Sequence, residues 1–274
     1  METQSLSSPS IQSVELLRDK VALITAGTSG IGAESARHLA LAGIRAVAMN
    51  GRDEGRGRAL EARLRAEFPG TAFLFIQGDV RDHVQAGQVV DRAVREFGRL
   101  DVLLHCGGAQ IKPDIFINTD PATFQPMIDG HFTSLLHCCH HAIPHLRASA
   151  EAGAGAAIIA IASDAGKVAT PAESIIGATK AAAIMFIRTL ALELSRFNVR
   201  ANVITPSLVK DTISQTRVMS SDIGKKVFEK ATARARLGLP SPADIAPLVV
   251  FLASPLASKI TGQAVSVNGG ISAA

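Results

Sequence analysis

Residues 21–32 read Val-Ala-Leu-Ile-Thr-Ala-Gly-Thr-Ser-Gly-Ile-Gly, and this stretch decides the fold. Val21 to Ile24 is an unbroken apolar run, as a strand buried on both faces requires. Gly27, Gly30 and Gly32 follow within six residues, and then a helix with Ala33, Ala36, Leu39 and Ala40 on its inner face ends at Ala42-Gly43. Strand, glycine turn and helix in this order aim backbone N–H groups and a helix N-terminus at a diphosphate. A Cβ in the turn would hold the phosphates off or forbid the turn. The candidate cradle is Gly27, Thr28, Ser29, Gly30, Ile31 and Gly32. The alternative is an ordinary glycine-rich connection, and the strand before and helix after argue against it.

The alternation continues outward to the end of the chain. Apolar runs at 46–49, 73–76, 101–104, 156–161, 199–204 and 264–267 read as strands. Helical patterns lie between them at 53–67, 82–97, 120–147 and 172–197, with Pro144 as a kink site, and a short helix starts at Ser241-Pro242. Residues 208–236 are polar and basic and read as a lid or substrate loop. The pattern predicts an α/β fold in one domain over 19–274, a doubly wound parallel sheet of about seven strands with helices on both faces. The strand-end turns 25–32, 50–52, 78–80, 105–108, 162–164 and 205–209 then share one edge, where a ligand binds.

Composition narrows the function. A chain of 274 residues with 47% hydrophobic content can bury a large core. Residues 1–18 are polar and Ser-rich, lack the pattern of a secretory signal and read as a flexible tail. No unbroken apolar stretch is long enough to lead one to expect a membrane span. The cysteines are Cys106, Cys138 and Cys139, an odd set with two adjacent, which fits a reducing cytoplasm rather than a disulfide framework. A formal charge of +4 with dispersed arginines and few aromatics argues against nucleic acid.

Taken together, the motifs resemble those of the short-chain dehydrogenase/reductase family, from Asp19-Lys20 to Asn268-Gly269-Gly270. Thr25…Gly30-Ile31-Gly32 is similar to its nucleotide turn, and Asp79-Val80 to its adenine-contacting pair. Ser163 and Lys180 stand at its active-site spacing. Asn198-Val199-Arg200-Ala201-Asn202-Val203-Ile204 with Pro206 matches the segment beside the nicotinamide, and Ile260-Thr261-Gly262-Gln263 the last strand. The resemblance implies a Rossmann-like fold, a nicotinamide dinucleotide held also by Cys106, Gly107, Pro206 and Val209, a small-molecule substrate, and a homodimer or homotetramer.

The same comparison exposes departures. The family's Tyr, four residues before the Lys, is Ile176 here, and the chain contains no Tyr. The family's Asn on the long helix corresponds to His131, its Asn-Asn-Ala-Gly turn reads His105-Cys106-Gly107-Gly108, and its first turn Gly is Ala26. Reduction of a ketone builds alkoxide character that needs a proton donor, and Ile cannot supply one. Ser163 could still polarise a substrate oxygen or simply cap a turn, and Lys180 could hold the nicotinamide ribose or be an inherited exposed Lys. His131 could replace the acid or serve as a hydrogen-bonded helix residue. Asp164 and Glu173 flank the site and read as solvated carboxylates, either able to act as a base. The run His137-Cys138-Cys139-His140-His141 with His145 lacks the Glu of a metalloprotease motif and reads as helix packing, so no metal is expected.

Cofactor choice rests on the end of the second strand. Gly51 stands where a carboxylate holds the 2′-hydroxyl of NAD(H), and Arg52 follows. An uncharged residue plus an Arg suits a 2′-phosphate, so NADP(H) is expected over NAD(H). Two classes of function remain. One is an oxidoreductase on a small, largely apolar carbonyl or alcohol with Ser163, His131 and Lys180 as its catalytic set, or a lyase, isomerase or dehalogenase on the same fold. The other is a dinucleotide-binding regulator or the silent subunit of a hetero-oligomer with an active paralogue.

Overall fold

The computed structural model describes residues 16–108 and 113–274. Seven parallel strands form one sheet in the order β3-β2-β1-β4-β5-β6-β7. They are β1 (Val21–Thr25), β2 (Ala46–Gly51), β3 (Ala72–Gln77), β4 (Val102–His105), β5 (Ala156–Ile161), β6 (Val199–Pro206) and β7 (Ala264–Val267). Every residue of β1, β2, β4 and β5 is buried, which is why these segments read as unbroken apolar runs. The helices are α1 (Gly30–Leu41), α2 (Glu54–Glu67), α3 (His83–Phe97), α4 (Phe124–Ile128), α5 (Ser134–Ser149), α6 (Ser174–Leu194), α7 (Ile213–Val218), α8 (Asp222–Arg234) and α9 (Pro242–Ala253).

The two faces of the sheet carry separate cores. Leu39 of α1, Leu60 and Leu64 of α2, and Ile245, Val249 and Leu252 of α9 pack with Ile24 and Val47 on one face. Val89 and Val90 of α3, Leu135 and Cys138 of α5, and Ile184 and Ile187 of α6 pack with Leu23 and Leu103 on the other. This is the doubly wound single domain that the alternation implies, with strand order reversing between β1 and β4.

Four expectations are corrected. Leu17, expected in the tail, is fully buried in the α1–α9 core, and residues 1–15 of that expected tail lie outside the described residues. The 208–236 segment is not a loop but folds into α7 and α8, capped by Thr212 and Ser221 through bonds from Gln215 N and Gly224 N. The helix expected over 120–147 runs on, but a π-helical turn over Asp129–Thr133 separates α4 from α5. Such wide turns concentrate at functional sites, and this one carries His131. Finally, the helical stretch Ser174–Phe197, mean hydropathy 1.6, is by length and composition apolar enough to cross a membrane. In the fold, Ala183, Ile184, Ile187 and Leu190 of that stretch pack on the sheet as a core helix.

The corrected boundary is testable. Leu17→Ala should cost about 2–5 kcal/mol, the usual loss for emptying a buried Leu site. A urea titration that finds the variant as stable as the parent would return Leu17 to the tail.

Candidate active site

The site forms along the C-terminal edge of β1, β2, β4, β5 and β6. Its base is the 25–32 turn. A Cβ on Gly32 would stand 2.7 Å from the Gly27 Cα, and one on Gly27 would stand 2.7 Å from the Ile24 carbonyl oxygen. Only glycines allow the strand and helix to close this tightly. Ala26 takes a left-handed φ of 52°, a conformation that costs a residue with a Cβ about 1–2 kcal/mol. The chain keeps the turn at that strain.

Two of the concavities that open on this edge hold the residues expected at the site. The first, about 690 Å³, is lined by Thr28, Ser29, Gly51, Arg52, Asp79 and Val80, among others. A Cβ on Gly51 would stand 2.7 Å from both the Thr28 Oγ1 and Cγ2, so an Asp there would require Thr28 to move. The carboxylates nearby are already engaged. Asp53 accepts from the Arg56 backbone N at 2.9 Å and its guanidinium at 2.7 Å. Asp79 is gripped by the Arg81 guanidinium, which holds its carboxyl below the usual range. Arg52 makes no ion pair among the described residues and keeps its side chain exposed.

The second, about 320 Å³, brings together Ile31, Cys106, Gly107, Ser163, Lys180 and His131 with Pro206 and Val209. Of the residues assigned from the sequence to the catalytic set or to the dinucleotide, Gly27 alone lines neither concavity; it lies beneath the turn and shapes it. In the loop after β4, residues 109–112 lie outside the described residues and Pro113 lines the cavity. Phe116 and Ile117 are exposed instead. The outer wall comes from Thr212, Gln215 and Arg217 around α7, and Phe228 of α8.

Burial sets the charge state of each group. The Lys180 Nζ donates to the carbonyls of Ile161 at 3.0 Å and Gly107 at 3.4 Å, and burial lowers its pKa to about 8. The exposed-Lys alternative is therefore gone. His131 is buried in the π-helical turn, and desolvation, the Lys180 charge and His105 push it down to about 3. A neutral imidazole at neutral pH has no imidazolium proton to give, so the acid role expected of His131 lacks its acid. Burial pushes the Cys106 thiol up to about 12, which leaves it unreactive.

His105, noted in the sequence only as a departure, turns out to organise the site. It shares a hydrogen bond with the Thr25 hydroxyl at 2.8 Å and another with Ser134 Oγ at 3.3 Å. Ser134 Oγ in turn donates to the Gly130 carbonyl at 3.1 Å. With the Ser hydrogen spent on Gly130, Nε2–H of His105 donates to Ser134 and Nδ1 accepts from Thr25, a neutral tautomer in keeping with a pKa lowered to about 3. This chain ties the ends of β1 and β4 to the π-helical turn. A Cβ on Gly107 would stand 2.4 Å from the His105 Nε2, so His105 and Gly107 fit only as a pair.

Ser163 accepts from the Ala165 backbone N at 3.2 Å, which leaves its own hydrogen free to point outward. Asp164 is not solvated. It is buried and accepts from Asn268 Nδ2 at 2.5 Å and Ser272 Oγ at 2.9 Å, tying the C-terminal segment under the Ser163 turn. Ile176 puts a hydrocarbon into the cavity wall, and Glu173, one helical turn earlier, lines the same cavity. Away from the cavity, the His83 ring of α3 lies tilted against His141 of α5 with centroids 4.5 Å apart and meets His137 edge-on at 5.1 Å.

Comparison with known proteins gives this geometry a family. A family model described as Enoyl-(Acyl carrier protein) reductase matches residues 25–272. The chain belongs to the short-chain dehydrogenase/reductase family. It is 32% identical over 260 residues to L-rhamnose 1-dehydrogenase (NAD(P)(+)) of Azotobacter vinelandii, covering 93% of this chain and 98% of that one. It is 31% identical over 281 residues to xanthoxin dehydrogenase of Arabidopsis thaliana, covering 98% and 94%. The fold superposes with a TM-score of 0.84 on a short-chain type dehydrogenase/reductase from Mycobacterium ulcerans, 26% identical over 93% of this chain and 90% of that one. It superposes at 0.80 on an NADPH-bound short chain oxidoreductase from Pseudomonas aeruginosa PAO1 described as containing an atypical catalytic center, 29% identical over 94% and 98%. By family this short-chain dehydrogenase/reductase is an oxidoreductase. The tight glycine turn fits the dinucleotide such enzymes use, since a Cβ at Gly27 or Gly32 would break the cradle for its diphosphate.

The Lys180 shift has a consequence for stability. Its pKa falls from 10.5 unfolded to about 8 folded, so between those pH values the unfolded chain binds more protons and stability rises with pH. Lys180→Met removes that contribution. Thermal melts at successive pH values should show the gap between the two proteins moving in favour of the parent between about pH 8 and 10.5, whereas a gap independent of pH would mean that Lys180 is not desolvated.

Proposed function

We propose that this chain is an NADP(H)-dependent oxidoreductase of a small, largely apolar carbonyl or alcohol, with a proton donor other than a phenol. The observation that carries the cofactor choice is Arg52. It follows β2 and makes no ion pair among the described residues, though its charge reaches Asp79, and it stands beside a Gly51 where an acidic side chain would require Thr28 to move. Asp53 and Asp79, which could hold a ribose hydroxyl, are engaged by Arg56 and Arg81. The NADPH bound by the Pseudomonas aeruginosa relative is in keeping with this choice.

In this reading Thr28, Ser29, Gly30, Ile31 and Gly32 hold the diphosphate and Arg52 the 2′-phosphate. Asp79 and Val80 hold the adenine, Cys106 and Gly107 the adenosine ribose, and Lys180 the nicotinamide ribose, with Pro206 and Val209 beside the ring. The bound dinucleotide supplies or takes the hydride. Ser163 donates a hydrogen bond from its hydroxyl to the substrate oxygen as charge grows there, and keeps its proton. Lys180, charged below about pH 8, adds positive charge to the same cavity. Ile176 takes the place of the family's phenol and excludes water from the wall without moving a proton. The name of the Azotobacter relative, a sugar dehydrogenase, fits an alcohol or carbonyl substrate. The cavity of about 320 Å³ limits the substrate to a small one beside the nicotinamide.

Fluorescence titration with NADPH and NADH, followed by a ketone panel, tests this reading. NADPH should bind more tightly. Arg52→Ala should weaken NADPH by roughly ten- to a hundredfold, the worth of hydrogen bonds to a charged group, and leave NADH nearly unchanged. Equal losses for both would reject the 2′-phosphate role. NADPH binding with turnover only after Ile176→Tyr would favour the silent subunit.

A further inference from the structure

Glu173, Ile176 and Lys180 are spaced i, i+3 and i+7 at the start of α6, so they fall on one face, and all three line the cavity that holds Ser163. The middle of this stripe is a hydrocarbon; its two ends are a carboxyl and an ammonium. Glu173 occupies the N-cap position of α6, yet its side chain makes no capping hydrogen bond. Among the described residues its carboxyl has neither an ion pair nor a hydrogen bond that would give it a structural task. Its backbone does that work instead, with the Glu173 carbonyl accepting from the Gly177 N at 2.6 Å. A half-buried carboxyl on a residue that lines the reaction cavity and, among the described residues, has no other partner is a group available for chemistry.

Resting on the oxidoreductase reading above, we infer that the Glu173 carboxyl is the proton donor of the reduction and the proton acceptor of the reverse oxidation. In the reduction, a hydride from the reduced nicotinamide dinucleotide forms the new C–H bond and the carbonyl π pair moves onto oxygen. The Glu173 O–H bond breaks, its electron pair stays behind as carboxylate, and its proton forms the alcohol O–H. Solvent returns a proton to the carboxylate after release. In the oxidation the carboxylate takes the hydroxyl proton.

The setting suits the task. Desolvation raises the Glu173 pKa above the ordinary carboxyl value, toward the range in which an acid can donate near neutral pH. Among the described residues, the other ionisable groups lining this cavity are Lys180 on its own helix, His131 on the π-helical turn, Cys106 after β4 and Arg217 on α7. Asp114 shares the adjoining recess. His131 is neutral and the Cys106 thiol stays protonated, so neither competes for the proton.

The full-length chain carrying Glu173→Gln tests the assignment, with small cyclic ketones and NADPH as probes. NADPH affinity by fluorescence should stay within about twofold, and the ketone KM should change little. The kcat should fall roughly 10²–10⁴-fold, the usual contribution of a positioned acid, and the fall of kcat as the parent's carboxyl ionises should vanish from the pH profile. Glu173→Asp should recover part of the loss, as a merely structural residue would not require. In the dinucleotide-free chain labelled with 13C-glutamate, the carboxyl resonance missing from E173Q should titrate above the ordinary value of about 4.3. Turnover by E173Q at the parent's rate overturns the role of Glu173 and leaves the oxidoreductase reading standing. So does a resonance that titrates at or below the ordinary value. A parent chain that binds NADPH yet reduces none of the ketones overturns both.

Discussion

A lysine ammonium buried among carbonyls governs the site. Lys180 reaches the Ile161 and Gly107 carbonyl oxygens and, among the described residues, has no carboxylate partner. Uncompensated burial of a charge is costly, and the shift toward pH 8 is how that cost appears. The same charge reaches its neighbours: it helps to push His105 and His131 down and draws the Cys106 thiol slightly back toward ionisation. Placing such a group at the junction of β4, β5 and α6 requires the sheet edge and the helix to meet closely. A Cβ on Gly166 would stand 2.7 Å from the Lys180 carbonyl carbon, so the turn after Ser163 presses directly on the helix that carries the lysine.

Most of the architecture was legible in the sequence because parallel strands are buried on both faces and leave unbroken apolar runs. Val21–Thr25 and Ala156–Ile161 are examples, and Gly27 and Gly32 mark the turn in which a Cβ would collide with backbone. The failures share a physical cause. Polarity along a segment reports what could face water, not whether neighbours do face it. Residues 208–236 are polar because α7 and α8 lie on the surface, yet their Thr212 and Ser221 caps and apolar inner positions still form helices that wall the cavity. Leu17 sits in a polar stretch and is buried by residues far along the chain. Asp164 is an acidic residue in a turn, and only the folded-back C-terminal segment reveals that its oxygens are occupied by Asn268 and Ser272.

The substitutions in the active-site motifs are similarly coupled through space. His105 in place of an amide would not fit above a residue with a Cβ at 107, and the chain has Gly107 there. His105 then gains Thr25 and Ser134 as partners and becomes part of the frame beneath the π-helical turn. Each substitution alone looks like decay of a motif. With Gly107 making room, His105 completes a satisfied hydrogen-bond chain through Thr25 and Ser134, and such a chain is expensive to leave half made.

Two residues of that cavity were candidates for the missing acid, and one physical effect separates them. Desolvation penalises the charged form of any group. For an imidazolium the charged form is the acid, so burial strips the proton, and His131 falls to about 3. For a carboxyl the charged form is the base, so burial keeps the proton in place, and Glu173 moves up. A drying cavity therefore disables a histidine donor and enables a carboxylic one. Ile176 puts a hydrocarbon into the cavity wall between Glu173 and Lys180 in the helix sequence. The hydrocarbon at position 176 would then be part of the device that lets a carboxyl one turn away hold a proton until the substrate oxygen needs it.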